Sequence, residues 1–404
     1  MIPIKQVERV TRRIGSKRVA ERDAEVAAYR QMPLPERKAC PADAMAAPVA
    51  TIQMDGGRLQ ILDRSLPEIE EPSAQVTDEP TATTTVGDES MPVAFATATP
   101  AAQAYEASSS SHWREDKVGL LVSMASRTHE VDPCPHIPDT FVNPLKILKL
   151  VRELKPATGA TEEAAEAAGV EAPKETSVHH DPPEILVRTV VATRARVEEF
   201  APMLAAAAWR RGFYAAVRRA FVGDGQACNW TVWQMFFSSF VPVLDFIHAL
   251  SYVFAAATAG RDFTAGWANY AEWIQWLWAG EVSRVIDAVA ERAAALGEPT
   301  AEELESSARN RVRAALNYLR NHQSKMQYAE YRKQGLPITS SHIESTIKRM
   351  NQRVKGTEKF WSETGAEELL QLRADYLSET EPMESFWTRR MESATGFNRN
   401  RRAA

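Results

Sequence analysis

Two aspartates in this chain close short apolar runs. Ala220-Phe221-Val222 stops on Gly223-Asp224-Gly225, and the run from Phe240 to Leu244 stops on Asp245, with His248 three residues later. β-Branched and aromatic residues favour buried strands, and the end of a buried strand fixes a carboxylate while leaving it open to a ligand. Carboxylates from two consecutive strand ends suggest a site for a hard divalent cation, which takes oxygen ligands. The third carboxylate is Glu344. It opens a helix with Ile343, Ile347, Met350 and Val354 on its apolar face, and Glu344, Lys348, Asn351 and Lys355 form a neighbouring stripe. Ser341-x-x-Glu344 also fits a capping box, which accounts for the glutamate without chemistry. A cap does not account for Lys348, Arg349, Arg353, Lys355 and Lys359 beside it. Such a helix lying on nucleic acid would put cations on phosphates while its first turn faces a metal.

The elements that must position these groups come from a chain of 404 residues, 44% hydrophobic, with room for two or three domains and a real core. Cys40, Cys134 and Cys228 lie far apart, which fits reduced thiols in a cytosolic protein and argues against a disulfide framework or zinc ribbon. The basic N-terminus has no apolar stretch that would make a signal peptide. The longest apolar run, Phe240 to Ala259, contains Pro242, Asp245 and His248 and reads as a buried strand and helix, not a membrane span. The expectation is a soluble cytoplasmic protein. Its net charge of -5 conceals an asymmetry. Residues 66 to 110 hold eight acidic side chains and no Lys or Arg, and residues 156 to 184 hold seven acidic and one basic, which leaves +9 on the remainder. That sign suits a polyanionic partner, although an ordinary solvated surface is the plainer explanation.

Residues 1 to 45 read as a basic helical region, either contacting DNA or packing on the protein. Val49 to Asp63 reads as a hairpin, because Asp55-Gly56-Gly57 between two strand-forming runs is a strong turn signal, and Asp55 is then a turn residue. The tract at 66–110 and the one at 156–184 read as disordered acidic insertions. Strands are expected at Val118 to Met124 and Ile185 to Ala192, and helices at about Asn143 to Leu154 and Val197 to Arg211, with Gly212 ending the latter. His112, His129 and His136 near Cys134 match no zinc spacing. Beyond His248 the chain reads as helical: one long segment from Gly266 to Leu296 whose tryptophans (Trp267, Trp273, Trp276, Trp278) are core, then Glu302 to Asn321, ending at Gly335-Leu336-Pro337.

Several of these parts occur together in one known family. DGGRLQ at 55–60, HWREDKVG at 112–119, DG at 224–225, LDFIHALSYV at 244–253, GLPITSSHIEST from 335 and RVKGTEKFW ending at 361 resemble the DDE-type transposases of bacterial insertion sequences, specifically the Kra group, related to Mutator-like and hAT-like elements. The resemblance covers most of the chain from about Val49 to Trp387. It implies an α/β fold, a ribonuclease-H-like mixed sheet flanked by helices and interrupted by an all-helical insertion before the last catalytic acid. The core would span 46–250 and 336–390, the insertion 251–335, and a basic tail 391–404. By the same resemblance Asp55, Asp224 and Glu344 are the catalytic and metal-binding carboxylates, and Asp245 and His248 form a supporting [C/D]xxH element. The implied cofactor is Mg2+ or Mn2+, as two ions. The implied partner is double-stranded DNA, with the protein a homo-oligomer on it at the nucleoid. The acidic tracts, and the shortness of the region before Val49, depart from the family's pattern.

Phosphodiester cleavage and strand transfer fit this residue set. A water or 3′-hydroxyl oxygen attacks in line with the leaving oxygen, and clustered carboxylates hold the cations that clamp both. No protein nucleophile is required, which agrees with the lack of a GxSxG or Cys-His signature. Two other functions fit the same sequence: a different metal-dependent nuclease or resolvase on this core, and a non-catalytic DNA-binding derivative.

Overall fold

The computed structural model describes residues 3–61, 113–154, 180–356 and 359–393. The acidic tract at 66–110, all but 180–184 of the second tract, and residues 394–404 lie outside the described residues, as does His112.

A six-stranded mixed sheet organises the rest. Its strands are β1 (Val49–Ile61), β2 (Trp113–Ala125), β3 (Glu184–Thr193), β4 (Arg218–Gly223), β5 (Val241–Leu244) and the short β6 (Phe360–Trp361). They run in the order β3-β2-β1-β4-β5, with β6 pairing the far end of β1. β2 runs antiparallel to both of its neighbours, β1 and β3, and β1, β4 and β5 are parallel. The central strand β1 is buried on both faces in its first half, which is why VATIQM reads as an almost unbroken apolar run.

Helices cover both faces. On one side Ala50, Ile52 and Met54 pack with Phe200, Leu204, Val232 and Phe237, supplied by α4 (Val197–Arg210) and by α5 (Ala227–Phe236) with the residue after it. The long α1 (Ile4–Gln31) lies outside them, followed by the short α2 (Leu34–Lys38). The other face carries α3 (Pro144–Leu154) and the helical block α6 (Phe246–Thr258), α7 (Phe263–Trp278), α8 (Val282–Leu296), α9 (Ala308–His322) and α10 (Tyr328–Lys333). It is completed by α11 (Ser341–Val354), while α12 (Glu363–Leu377) packs between β3 and α1 at the sheet edge and the terminal α13 (Pro382–Glu392) lies on α1 through Phe386 and Arg389. One continuous apolar core joins Val49, Val118 and Val122 of the sheet to Phe254, Tyr270 and Val312 of the block.

Several expectations need correction. Val49 to Asp63 is not a hairpin: Asp55, Gly56 and Gly57 lie inside one thirteen-residue strand. The glycines serve cross-strand neighbours instead of a turn. A Cβ on Gly57 would lie 2.8 Å from both carboxylate oxygens of Asp116, and one on Gly56 would lie 3.0 Å from Glu115 Oε1. The segment from Gly266 to Leu296 is two helices, broken at Gly280, whose φ of 83° no ordinary side chain adopts readily. The following helix starts at Ala308 instead of about Glu302, where Ser307 caps it by accepting the Asn310 N–H. A boundary at 250/251 would fall inside α6, which runs unbroken from the end of β5. Trp267, Trp273 and Trp278 are core as expected, whereas Trp276 is half-buried under Arg284. The N-terminal helix packs on the protein through Arg18, which pairs with the buried Asp375 at 2.8 Å, and Arg22, which pairs with Glu367 at 2.7 Å.

Candidate functional site

Sheet register brings the aspartates to one end of the parallel strands. β1 pairs β4 up to Gln53 opposite Val222, so continuing that register two residues places Asp224 level with Asp55. β4 pairs β5 up to Gly223 opposite Leu244, so Asp245 is level with Asp224 in turn, and its N–H donates to Gly223 O at 2.8 Å. Glu344 arrives from the first turn of α11, which crosses this face of β1 and β2. Among the described residues, one trio offers metal-type ligand atoms all within 4.8 Å of one another: Asp245, His248 and Glu344. The expected trio of Asp55, Asp224 and Glu344 is not gathered that tightly. Asp55 still feels Asp224, His248 and Glu344 electrostatically.

The two aspartates that follow β4 and β5 have different roles. Asp245 is fully buried, and both its oxygens are engaged: Oδ1 accepts the Ser340 N–H at 2.7 Å, and Oδ2 accepts the His248 N–H at 2.9 Å and meets His248 Nδ1 at 2.6 Å. It caps α6, fixes the imidazole and ties the approach to α11, all with one carboxylate. These bonds tie Asp245 to three main-chain and ring partners and leave one acceptor site of Oδ1 open toward Glu344's side of the trio. Asp224 is partly open; Oδ1 accepts from Gln226 N and Asn229 Nδ2, and Oδ2 from Gln226 Nε2.

Titration behaviour follows from the crowding. Burial, then the nearby Asp224, raises Asp55 to about 6, against the opposing Gly56 N–H and His248. Burial, then Asp245, also raises Glu344. Burial disfavours charge on His248, but the hydrogen bond and charge of Asp245, with Asp224 and Glu344 beyond, outweigh it and hold the imidazole above its ordinary value. A fourth carboxyl, Asp116, is buried on the same face opposite Gly57 and is also raised to about 6, chiefly by burial.

The capping-box explanation of Glu344 does not hold. The N-cap is Ser340, one residue earlier than the box requires, and its side chain makes no capping hydrogen bond. Lys348, Arg349, Arg353, Lys355 and Lys359 are all exposed along α11 and the loop after it. Lys348 reaches Glu153 at 3.5 Å, and Lys355 sits 5.1 Å over the Trp113 ring. Both contacts leave the charge at the surface. Near Cys134 the described residues form no metal-type cluster, and the thiol donates to His136 O.

Two residues that shape the site were not among the candidates. Gln53, fully buried and two residues before Asp55 on the same face of β1, donates to Thr339 O at 3.2 Å and accepts from Ile343 N at 3.0 Å. A glutamine inside an apolar strand is the signal that could have found it. Tyr318 of α9 donates to the main-chain carbonyl of Asp224 at 2.7 Å and stacks on Tyr252 at 3.7 Å. Nothing local to Tyr318 announces that contact. Comparison of the chain with protein-family models, with curated proteins and with solved structures finds no match in any of the three.

Proposed function

We propose that this protein is a DDE-type transposase: a DNA-cutting and strand-transferring enzyme that acts on double-stranded DNA as a homo-oligomer, at the nucleoid, with two Mg2+ or Mn2+ ions. The observation that carries the reading is that Asp55, midway along β1, lies level with Asp224 just past the end of β4 and feels both Asp224 and Glu344, the latter about 290 residues away in sequence. Bringing distant acids this close costs stability, because burial and the charges of Asp224 and Glu344 raise the proton affinity of Asp55. The mixed sheet, three antiparallel strands continued by parallel β4 and β5, supports the ribonuclease-H-like reading, and the block α6–α10 stands where the resemblance expects an insertion.

The donor set suits hard divalent cations, because three carboxylates leave room for water and substrate phosphate. Asp55, Asp224 and Glu344 would hold them, and bound ions supply the positive charge that eases in-line displacement at phosphorus. The chain's own residues do the rest. Asp245 and Gln53 fix the start of α11, and with it the height of Glu344 above the sheet. Asp245 also fixes His248 against the site, where Asp245, Asp224 and Glu344 favour the charged form of the imidazole. The exposed lysines and arginines of α11 would align the DNA backbone without reading its sequence.

The test is incubation of the purified protein with plasmid carrying the DNA that flanks its own gene, in Mg2+. Nicks or breaks at defined ends followed by joined products support transposition. Cleavage without joining indicates another nuclease on the same site, and metal-independent binding without cleavage indicates a DNA-binding derivative.

A further inference from the structure

On the other face of the sheet, a cavity of about 190 Å3 opens between α1, α4, β3, α12 and α13. Five arginines line it against two carboxylates, Glu25 and Asp375. Most of those arginines are spoken for: Arg18 by Asp375, Arg22 by Glu367, Arg210 by Glu25 and Arg389 by Glu21. Arg211 is different. Its guanidinium donates to two neutral hydroxyls, Thr189 Oγ1 and Ser123 Oγ, the latter at 2.7 Å, and among the described residues no carboxylate forms an ion pair with it. Glu379 is close enough to be felt but is bound by Arg188, through the guanidinium at 2.7 Å and the main-chain N–H at 2.8 Å.

A largely buried guanidinium held by uncharged groups is an unbalanced charge, and buried charges are normally paired. Burial accordingly lowers the proton affinity of Arg211. The cavity beside it has room for a tetrahedral oxyanion, and Thr380 and Ser385 add hydroxyls to the wall. We infer that this cavity is a phosphate-binding site, with Arg211 as its principal charge. Arginine suits that task because its planar fork matches two phosphate oxygens at once. The phosphate is either a free inorganic or monoester phosphate or a phosphodiester of bound DNA, the shared chemistry being the tetrahedral oxyanion.

Thermal unfolding of the full chain in inorganic phosphate and in chloride, at equal ionic strength, tests the site. Wild-type protein should gain roughly 2–4 °C in phosphate, the scale expected when ligand is about tenfold above its dissociation constant. Arg211→Gln should lose that gain. Thr380→Glu, which supplies a resident carboxylate, should melt higher in chloride and no longer respond to phosphate; it keeps the test open if Arg211→Gln folds poorly. Binding of a random duplex across a salt series separates the two sources. A DNA phosphodiester in the cavity predicts that Arg211→Gln lowers the slope of log affinity against log salt by about one. A free phosphate predicts an unchanged slope beside the phosphate-dependent melting. If wild type shows neither a phosphate-dependent shift nor an Arg211-dependent DNA slope, Arg211 is only a bridge between β2 and β3 and the inference fails.

Discussion

The phenol of Tyr318 donates a 2.7 Å hydrogen bond to the main-chain carbonyl of Asp224, so a helix of the all-helical block holds the turn that carries a candidate metal ligand. The same ring fills the space beside Gly225, where φ is 99° and a Cβ would come within 2.6 Å of the tyrosine. Tyr318→Phe should keep the stack on Tyr252 and cost about 1 kcal/mol, the value of one hydrogen bond. Catalysis should fall by more than that stability loss implies, because the Asp224 turn loosens. Gly225→Ala should be worse in both respects, since it meets the ring and the wrong φ together. Paired melting and cleavage measurements decide it; a Tyr318→Phe enzyme with full activity would separate the block from the site.

Gln53→Leu removes both bonds that pin α11. It leaves the Ile343 N–H with only its 3.0 Å bond to Ser340 O and takes the Gln53 donor from Thr339 O, at a cost of about 1–2 kcal/mol. Gln53→Glu restores the acceptor but not the donor, and adds a buried negative charge beside Asp55 and Glu344. The expected order of cleavage rate is wild type, then Leu, then Glu, although Glu is closer in shape. A Glu variant as active as wild type would mean that Gln53 acts only by filling space.

Asp245→Asn should destabilise by about 2 kcal/mol, because an amide has one accepting oxygen where the aspartate serves Ser340 and His248 with two. Activity and thermal stability should fall together. Loss of metal affinity with stability intact would instead make Asp245 a ligand.

The elevated proton affinity of Asp55 gives a pH signature. Its folded value, about 6, lies above that of an unfolded aspartate. The folded state therefore binds the extra proton, and stability is fully present below about pH 4, declines as pH rises to about 6 and is flat beyond. Asp55→Asn abolishes that decline, so the variant should be more stable than wild type at pH 7, by on the order of 2–3 kcal/mol. Asp116 titrates in the same window, so the quantity to measure is the difference between the two stability curves across pH 3–8. A difference that does not change across that window would contradict the crowding of Asp55. Divalent cations compete with the same proton, and their binding should tighten through pH 6.

Much of this arrangement is legible in the sequence because it rests on local pattern. The strands ending at Gly223 and Leu244, the Asp245–His248 spacing and the helix opening before Glu344 all come from short-range periodicity and turn chemistry. Asp245-x-x-His248 is itself a helix cap, with aspartate receiving the N–H three residues on. The hairpin reading failed where the cause was remote. Gly56 and Gly57 are glycines because Glu115 and Asp116 on β2 need the space, and a single strand carries no trace of its partner. Tyr318 is likewise invisible locally, since its partner is a carbonyl 94 residues away.

The most direct measurement is the Mg2+-dependent activity of Glu344→Gln. The glutamine is close to isosteric, Glu344 makes no capping box, and removing a charge from a crowded acidic site costs the fold nothing. Helix content should therefore match wild type and the melting temperature at pH 7 should equal or slightly exceed it, and DNA binding should hold or tighten slightly as repulsion of phosphate is relieved. Cleavage and joining should fall by roughly three orders of magnitude or more, as for Asp55→Asn and Asp224→Asn, because a neutral amide surrenders several kcal/mol of metal-borne charge stabilisation. Substantial strand transfer by a well-folded Glu344→Gln protein would contradict the three-carboxylate site.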